Sequence, residues 1–289
     1  MNLISKFIIG FYTSFSKLSL EKLYSISNFF YWVFSVFKLF PFNKEVEKRM
    51  SLAFPDKDKQ WQQQLRFKFY KQSAYFAAEF IKFISFGKDD IVQRMRYKNI
   101  ELLKKLLEEK HYVVCCSGHF ANYEFFTGLP LWIDNYTMCH FYDDSMRSFP
   151  FLNMWIKKLR SRFGAINIPI SSPLRDILSL RNKIESGESQ YKGFVIGSLL
   201  DIENNKPKGN YKCLLGRNCI LHLGTEKIGK RIGAAFVYAN IRSYNRGYYE
   251  VTLKELYPDE TGSYMNAFIS ALEQNIREQP ELWLMWTNL

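Results

Sequence analysis

His119 and Glu124, with Phe120, Ala121, Asn122 and Tyr123 between them, are the residues best suited to chemistry. An imidazole takes and returns a proton near neutral pH. A carboxylate beside it fixes its tautomer by accepting the Nδ1 proton, which leaves Nε2 to take one from an alcohol. On a continuous helix, residues five apart lie about 140° apart around the axis and do not meet. Across a strand-to-helix turn they can, and the residue types predict such a turn. The apolar run 112–116 passes through Ser117 and Gly118 into the motif, and the apolar stretch 125–132 follows. Gly118 permits close backbone approach before the histidine. Asn122 is suited to cap the helix and leave its first amides directed at the turn. No Gly-x-Ser-x-Gly surrounds Ser117 or Cys116, so neither has the context of a nucleophile elbow.

The elements that must position this pair alternate along the chain. Apolar β-branched runs fall at 112–117, 136–141, 165–169, 193–200, 234–241 and 247–253. Amphipathic stretches predict helices near 60–84, 102–109, 122–132, 149–162, 173–186, 223–232 and 263–278. That order predicts an α/β sheet with helices on its faces, and 204–210 reads as a loop. On helix 60–84, Phe67, Tyr70, Ala74, Ala77, Phe80 and Ile81 form the apolar face. Open α/β sheets bind ligands at the C-terminal ends of their strands. Those ends would carry His119, Asp143 with Asp144, Pro169 with Ile170, and Asp201. Asp201 is expected to support the catalytic turn by capping or hydrogen bonding, with a role as an acid the alternative. Arg160 and Arg162, two apart on one helix, point to different faces, so only one can serve the site. Thr225, between Gly224 and Glu226, reads as a helix cap.

The net charge of +12 favours an anionic partner: nucleic acid, an anionic membrane surface, or an acidic carrier or substrate. No RNP, helix-turn-helix or zinc signature supports nucleic acid. The five cysteines and four histidines lack metal-ligand spacing, so no metal site is expected, and Cys115 and Cys116 read as small core residues.

Residues 1–42 are rich in Phe, Leu, Ile, Tyr and Trp, and the uncharged run Leu23 to Phe37 is bounded by Lys22 and Lys38. Those fifteen residues reach only about 23 Å as helix, short of the ~30 Å hydrocarbon core. Flanking lysines can snorkel, so residues 1–42 are read as a monotopic or barely spanning membrane anchor. The alternative is a helical hairpin buried against the domain. Lys44, Lys48 and Arg49 follow and place residues 43–289, the catalytic domain, on the cytoplasmic side.

Residues 118–124, GHFANYE, resemble the His-x4-(Asp/Glu) motif of glycerolipid-type acyltransferases. They are most similar to the branch that adds secondary acyl chains to lipid A, where the usual form is Gly-His-x-x-Asn-Trp-Glu and Tyr123 stands in the Trp position. Blocks 48–55, 159–164, 200–201, 223–228, 246–249 and 280–283 recur in that family's order. Ile202 stands where Gln is common, and residues 285–289, Met-Trp-Thr-Asn-Leu, stand where the family usually carries an aromatic-and-arginine tail. The resemblance implies a mixed, largely parallel sheet flanked by helices and a membrane-bound O-acyltransferase at the bacterial inner membrane. It implies His119 and Glu124 as catalytic dyad, with Arg160, Asn122 and Asp201 near the oxyanion or substrate. Gly224, Thr225 and Glu226 would lie near the acceptor pocket. No cofactor is implied; an acyl-carrier-protein or coenzyme A thioester is the donor, and an anionic lipid A precursor the acceptor. A same-fold enzyme acting on an aminolipid or lysophospholipid is the alternative.

Overall fold

The computed structural model describes residues 3–143, 150–201, 211–220 and 224–287. Asp144, Ile202 and the loop 204–210 lie outside the described residues. Four helices open the chain: α1 (Leu3–Ser16), α2 (Leu20–Val36), α3 (Asn43–Ala53) and α4 (Lys59–Phe83). The Ser19 hydroxyl accepts from the Lys22 N–H at the start of α2, and Asp58 accepts from the Trp61 N–H at the start of α4. Each satisfies a donor that a first helical turn leaves orphaned.

After α4 come α5 (Lys88–Arg94), β1 (Met95–Tyr97), α6 (Ile100–Lys110) and β2 (Tyr112–Ser117). Next are a 3₁₀ segment (Tyr123–Leu131), β3 (Tyr136–Tyr142), α7 (Pro150–Ser161), β4 (Ile166–Pro169), α8 (Pro173–Glu185) and β5 (Gly193–Leu199). The hairpin β6 (Tyr211–Leu214) and β7 (Arg217–Ile220) precedes α9 (Gly224–Arg231), β8 (Ala235–Asn245), β9 (Tyr248–Leu256) and α10 (Met265–Glu278).

Seven strands form one sheet in the order β1-β9-β8-β2-β5-β3-β4. Every neighbouring pair is parallel except β8 with β9. The fold is α/β with a mixed, mostly parallel sheet between helices. All six residues of β2 are buried. A strand covered on both faces reads as a continuous apolar run, as 112–116 does. Because β2, β3, β4, β5 and β8 run the same way, their C-terminal ends share one edge.

Three differences from the sequence reading have physical causes. The expected helix at 122–132 is 3₁₀: Pro130 lies inside it and cannot donate an amide to an α-helical ladder. The three-residue β1 is too short to show a period. Helix α4 is apolar on two sides. The predicted face, with Tyr70, Ala74, Ala77 and Ile81, lines a groove against α1 and α2. The other side carries the buried Leu65, Phe69, Phe76 and Phe83, and Phe83 meets Phe125 and Phe163 in the domain core.

Among the described residues no helix is long and apolar enough to cross a membrane. The 17 residues of α2 extend about 26 Å and include Glu21 and Lys22, so the spanning alternative for residues 1–42 is corrected. Leu20, Leu23 and Tyr24 of α2 are buried, and the Tyr24 ring meets Tyr75 of α4 edge-on at 5.1 Å. The outer sides of α1 and α2 remain exposed at Phe7, Phe11, Phe29, Phe30 and Trp32.

Candidate functional site

Parallel pairing of β2 with β5 sets Ser117 opposite Leu199. Two residues beyond each stand His119 and Asp201. The Asp201 Oδ2 accepts the His119 backbone N–H at 2.7 Å, and its Oδ1 lies 2.7 Å from His119 Nδ1. The Trp283 indole N–H also donates to Oδ2, at 2.8 Å. Asp201 is fully buried, and these three hydrogen bonds offset the cost of taking a carboxylate out of water. An ionised carboxylate only accepts, so it places the imidazole proton on Nδ1 and leaves Nε2 as the basic nitrogen. Among the described residues, none donates to Nε2. A Cβ on Gly118 would lie 2.7 Å from Leu272 Cδ1 and 2.8 Å from Asp201 Oδ2, so the close approach of carboxylate to turn requires glycine there.

The carboxylate that holds Nδ1 is therefore Asp201, and the hydrogen bond expected from Glu124 is not formed. Glu124 instead makes a two-pronged pair with Arg160 of α7, through Nε at 2.9 Å and through Nη2. A guanidinium offers a full charge and a fork matched to a carboxylate, whereas a neutral imidazole offers one N–H. Glu124 is buried, so it needs the stronger partner. The Tyr123 ring stands edge-on to the imidazole, with centroids 5.1 Å apart. Burial, with Glu124 beside it, pushes the Tyr123 hydroxyl up to about 12, so it keeps its proton.

These groups line a cavity of about 420 Å³. His119, Tyr123, Glu124 and Arg160 form its polar wall; Phe126, Met138, Phe141 and Leu199 are among its apolar lining. Arg160 Nη1 bonds to no described residue, so donors remain beside the cavity after Glu124 is satisfied. Arg162 points elsewhere: its guanidinium donates to the carbonyls of Phe83 and Ile84 and stacks 4.4 Å from the Phe83 ring. Cys115 also borders the cavity, but burial pushes its thiol up to about 12, and burial pushes Cys116 up as well. Neither forms a thiolate at neutral pH. The Ser117 hydroxyl is turned to the Ala239 carbonyl at 3.3 Å.

The sequence profile of the bacterial lipid A biosynthesis acyltransferases matches residues 3–289. The chain belongs to that family. It is an acyltransferase enzyme of lipid A biosynthesis. No individually curated protein matches the chain.

Other expected site residues of this lipid A acyltransferase lie off the cavity. The Asn122 side chain caps nothing: its Nδ2 donates to Glu79 at 2.9 Å. Thr225 shares a hydrogen bond with Ser198 at 2.8 Å. Glu226 accepts from the Tyr264 N–H at 2.9 Å and pairs with Lys230 at 2.8 Å. Gly224, Thr225 and Glu226 thus belong to the start of α9 where it meets β5 and the start of α10, and none lines the cavity.

Two residues were missed from sequence. Trp283 sits within a family-like block, yet nothing in an isolated Trp announces a bond to Asp201. Glu79 carried a faint signal: it is a carboxylate flanked by Ala77, Ala78, Phe80 and Ile81 on a helix with little polar surface there.

Proposed function

We propose that this acyltransferase moves a fatty acyl chain from an acyl-carrier-protein or coenzyme A thioester to a hydroxyl of a lipid A precursor. It does so on the cytoplasmic face of the bacterial inner membrane. The observation that carries the reading is the bond from His119 Nδ1 to the buried Asp201, on the wall of a largely apolar cavity. His119 Nε2 takes the proton as the acceptor oxygen attacks the thioester carbonyl. The carbon–sulfur bond then breaks, and the imidazolium returns the proton to the departing thiolate. Asp201 stabilises the imidazolium. Arg160, fixed by Glu124, supplies N–H donors for the developing oxyanion or for a phosphate of the acceptor. The apolar lining suits a fatty acyl chain.

A monotopic membrane seat on residues 1–42 is part of the proposal. Phe7 is 72% exposed, Phe37 64% and Trp32 58%, more apolar surface than a domain leaves in water without use. A groove of about 500 Å³ between α1, α2 and α4 adds to it. Burying each large apolar side chain stabilises attachment by roughly 1.5–3 kcal/mol, against about 1 kcal/mol for a lysine near an anionic surface.

Purified protein should acylate a lipid A precursor from acyl-carrier-protein or acyl-coenzyme A, read by mass spectrometry of the lipid. His119→Ala should stay folded and abolish the mass increment; turnover at the wild-type rate would sink the mechanism. Trp32→Asp with Phe37→Asp should reduce co-flotation with phosphatidylglycerol vesicles. Unchanged flotation would overturn the membrane seat.

A further inference from the structure

Glu79 of α4 is 1% exposed and takes no part in the cavity. Its Oε2 accepts from Asn122 Nδ2 at 2.9 Å and from the Tyr249 hydroxyl at 2.6 Å. Its Oε1 accepts from the Tyr24 hydroxyl at 2.8 Å. Burial pushes the Glu79 carboxyl up, and the three hydrogen bonds, together with the positive charge of Arg94, oppose the rise. Burial also drives the hydroxyls of Tyr24 and Tyr249 up, so both remain donors. Three donors converging on one side chain are what a carboxylate requires.

Asn122 ends the catalytic turn three residues after His119. Between them Phe120 and Ala121 are fully buried, and Ala121 has φ +52°, a left-handed conformation disfavoured for a residue with a Cβ. Such a turn persists only when its surroundings hold it. One side is held by the C-terminal segment: the Ala121 N–H donates to the Leu282 carbonyl at 2.9 Å, and the Leu284 N–H to the His119 carbonyl at 2.8 Å. The other side is held by Glu79 through Asn122.

We propose that Glu79 is a positioning residue for His119: it anchors Asn122, keeps the Ala121 turn in place, and links that turn through Tyr24 to helix α2. The inference rests on the reading of His119 as the base. Glu79 acts by geometry, so a glutamine can replace it. The Gln oxygen takes the two donors at the Oε2 position, and its NH₂ donates to a Tyr24 hydroxyl rotated to accept.

The test uses the full chain in detergent micelles, with a C12 acyl-coenzyme A and a lipid A precursor, and rates normalised to folded protein by thermal melts. Glu79→Ala and Asn122→Ala should each lower kcat by about 10–100-fold, with KM for the thioester within about threefold, because misplacing the base leaves binding intact. The double variant should be no worse than Glu79→Ala alone. Glu79→Gln should recover most of the loss. A kcat for Glu79→Ala near that of wild type, losses that multiply in the double variant, or a Glu79→Gln as inactive as Glu79→Ala each overturns the proposal. If Glu79→Ala does not fold, Asn122→Ala and Glu79→Gln test the same contact from its two ends. His119→Ala runs in parallel. If it stays active, the base assignment fails; if it is dead while Glu79→Ala is normal, only the positioning role fails.

Discussion

Asp201 binds His119 at two points, the ring Nδ1 and the backbone N–H, each at 2.7 Å. One carboxylate therefore sets both the tautomer and the place of the imidazole.

Asp201→Asn tests the tautomer directly. The two donors at Oδ2, from His119 and Trp283, require the amide oxygen there, so the new NH₂ faces Nδ1. Nδ1 then accepts, the proton moves to Nε2, and the base is lost. The expected fall in kcat is about 10²–10⁴-fold with the fold retained. Steady-state kinetics beside a melting curve check it, and a loss under tenfold would show that Asp201 does not set the tautomer.

Arg160 and Arg162 should fail differently. Arg160→Ala strips the partner from a buried Glu124 and should lower turnover at least tenfold while destabilising by roughly 2–4 kcal/mol. Glu124→Gln and Arg160→Ala should be non-additive in turnover. Arg162→Ala loses carbonyl contacts and ring stacking, so its effect should fall on stability, with turnover within about threefold. Equal, mild effects from both arginines would mean that Arg160 does not serve the site.

Gly118→Ala inserts a methyl group where Leu272 and the Asp201 carboxylate already stand. Roughly 1–3 kcal/mol of stability should be lost. Activity should fall further than stability explains, because the displaced oxygen is the one that binds the His119 N–H. Urea titration with kinetics separates the two effects. Full activity would mean that the turn tolerates displacement.

His140 should make stability depend on pH. Burial pulls its imidazole below the ordinary 6.5, against the opposing hydrogen bond from Nε2 to Asn167 at 2.6 Å and the charge of Glu124; Arg160 reinforces the fall. Below about pH 6.5 the unfolded chain binds a proton that the folded chain refuses, so stability drops as pH falls from there towards the folded value. Comparing urea midpoints at pH 7.5 and 5.5, His140→Gln should lose less stability on acidification than wild type, by up to about 1 kcal/mol. An identical loss in both would exclude His140 as a source.

Most of the scaffold was legible in short stretches of chain. The apolar run 112–116 announced a strand, and strand β2 spans Tyr112–Ser117, with the structure adding that all six of its residues are buried. Alternating runs and amphipathic stretches placed β3, β5, α8 and α10 within a few residues, because burial imposes its period locally. The Gly118 step was legible too, since only close backbone approach calls for glycine there. The 3₁₀ character of 123–131 was harder to see, although Pro130 was in view.

The partners of the candidate base were not legible, and the reason is distance along the chain. Sequence alone determined that a histidine follows a buried strand, that a carboxylate stands five residues on, and that a further Asp ends a later strand. Which carboxylate reaches Nδ1 was decided by the β2–β5 register, which sets positions 119 and 201 side by side. Whether Glu124 was available was decided by the approach of α7, which brings Arg160 to it across 36 residues. Trp283 and Glu79 complete the turn from 82 and 43 residues away from their partners. Periodicity records which face of an element is buried. Hydrogen bonds between elements depend on how those faces pack, and only the tertiary structure decides that.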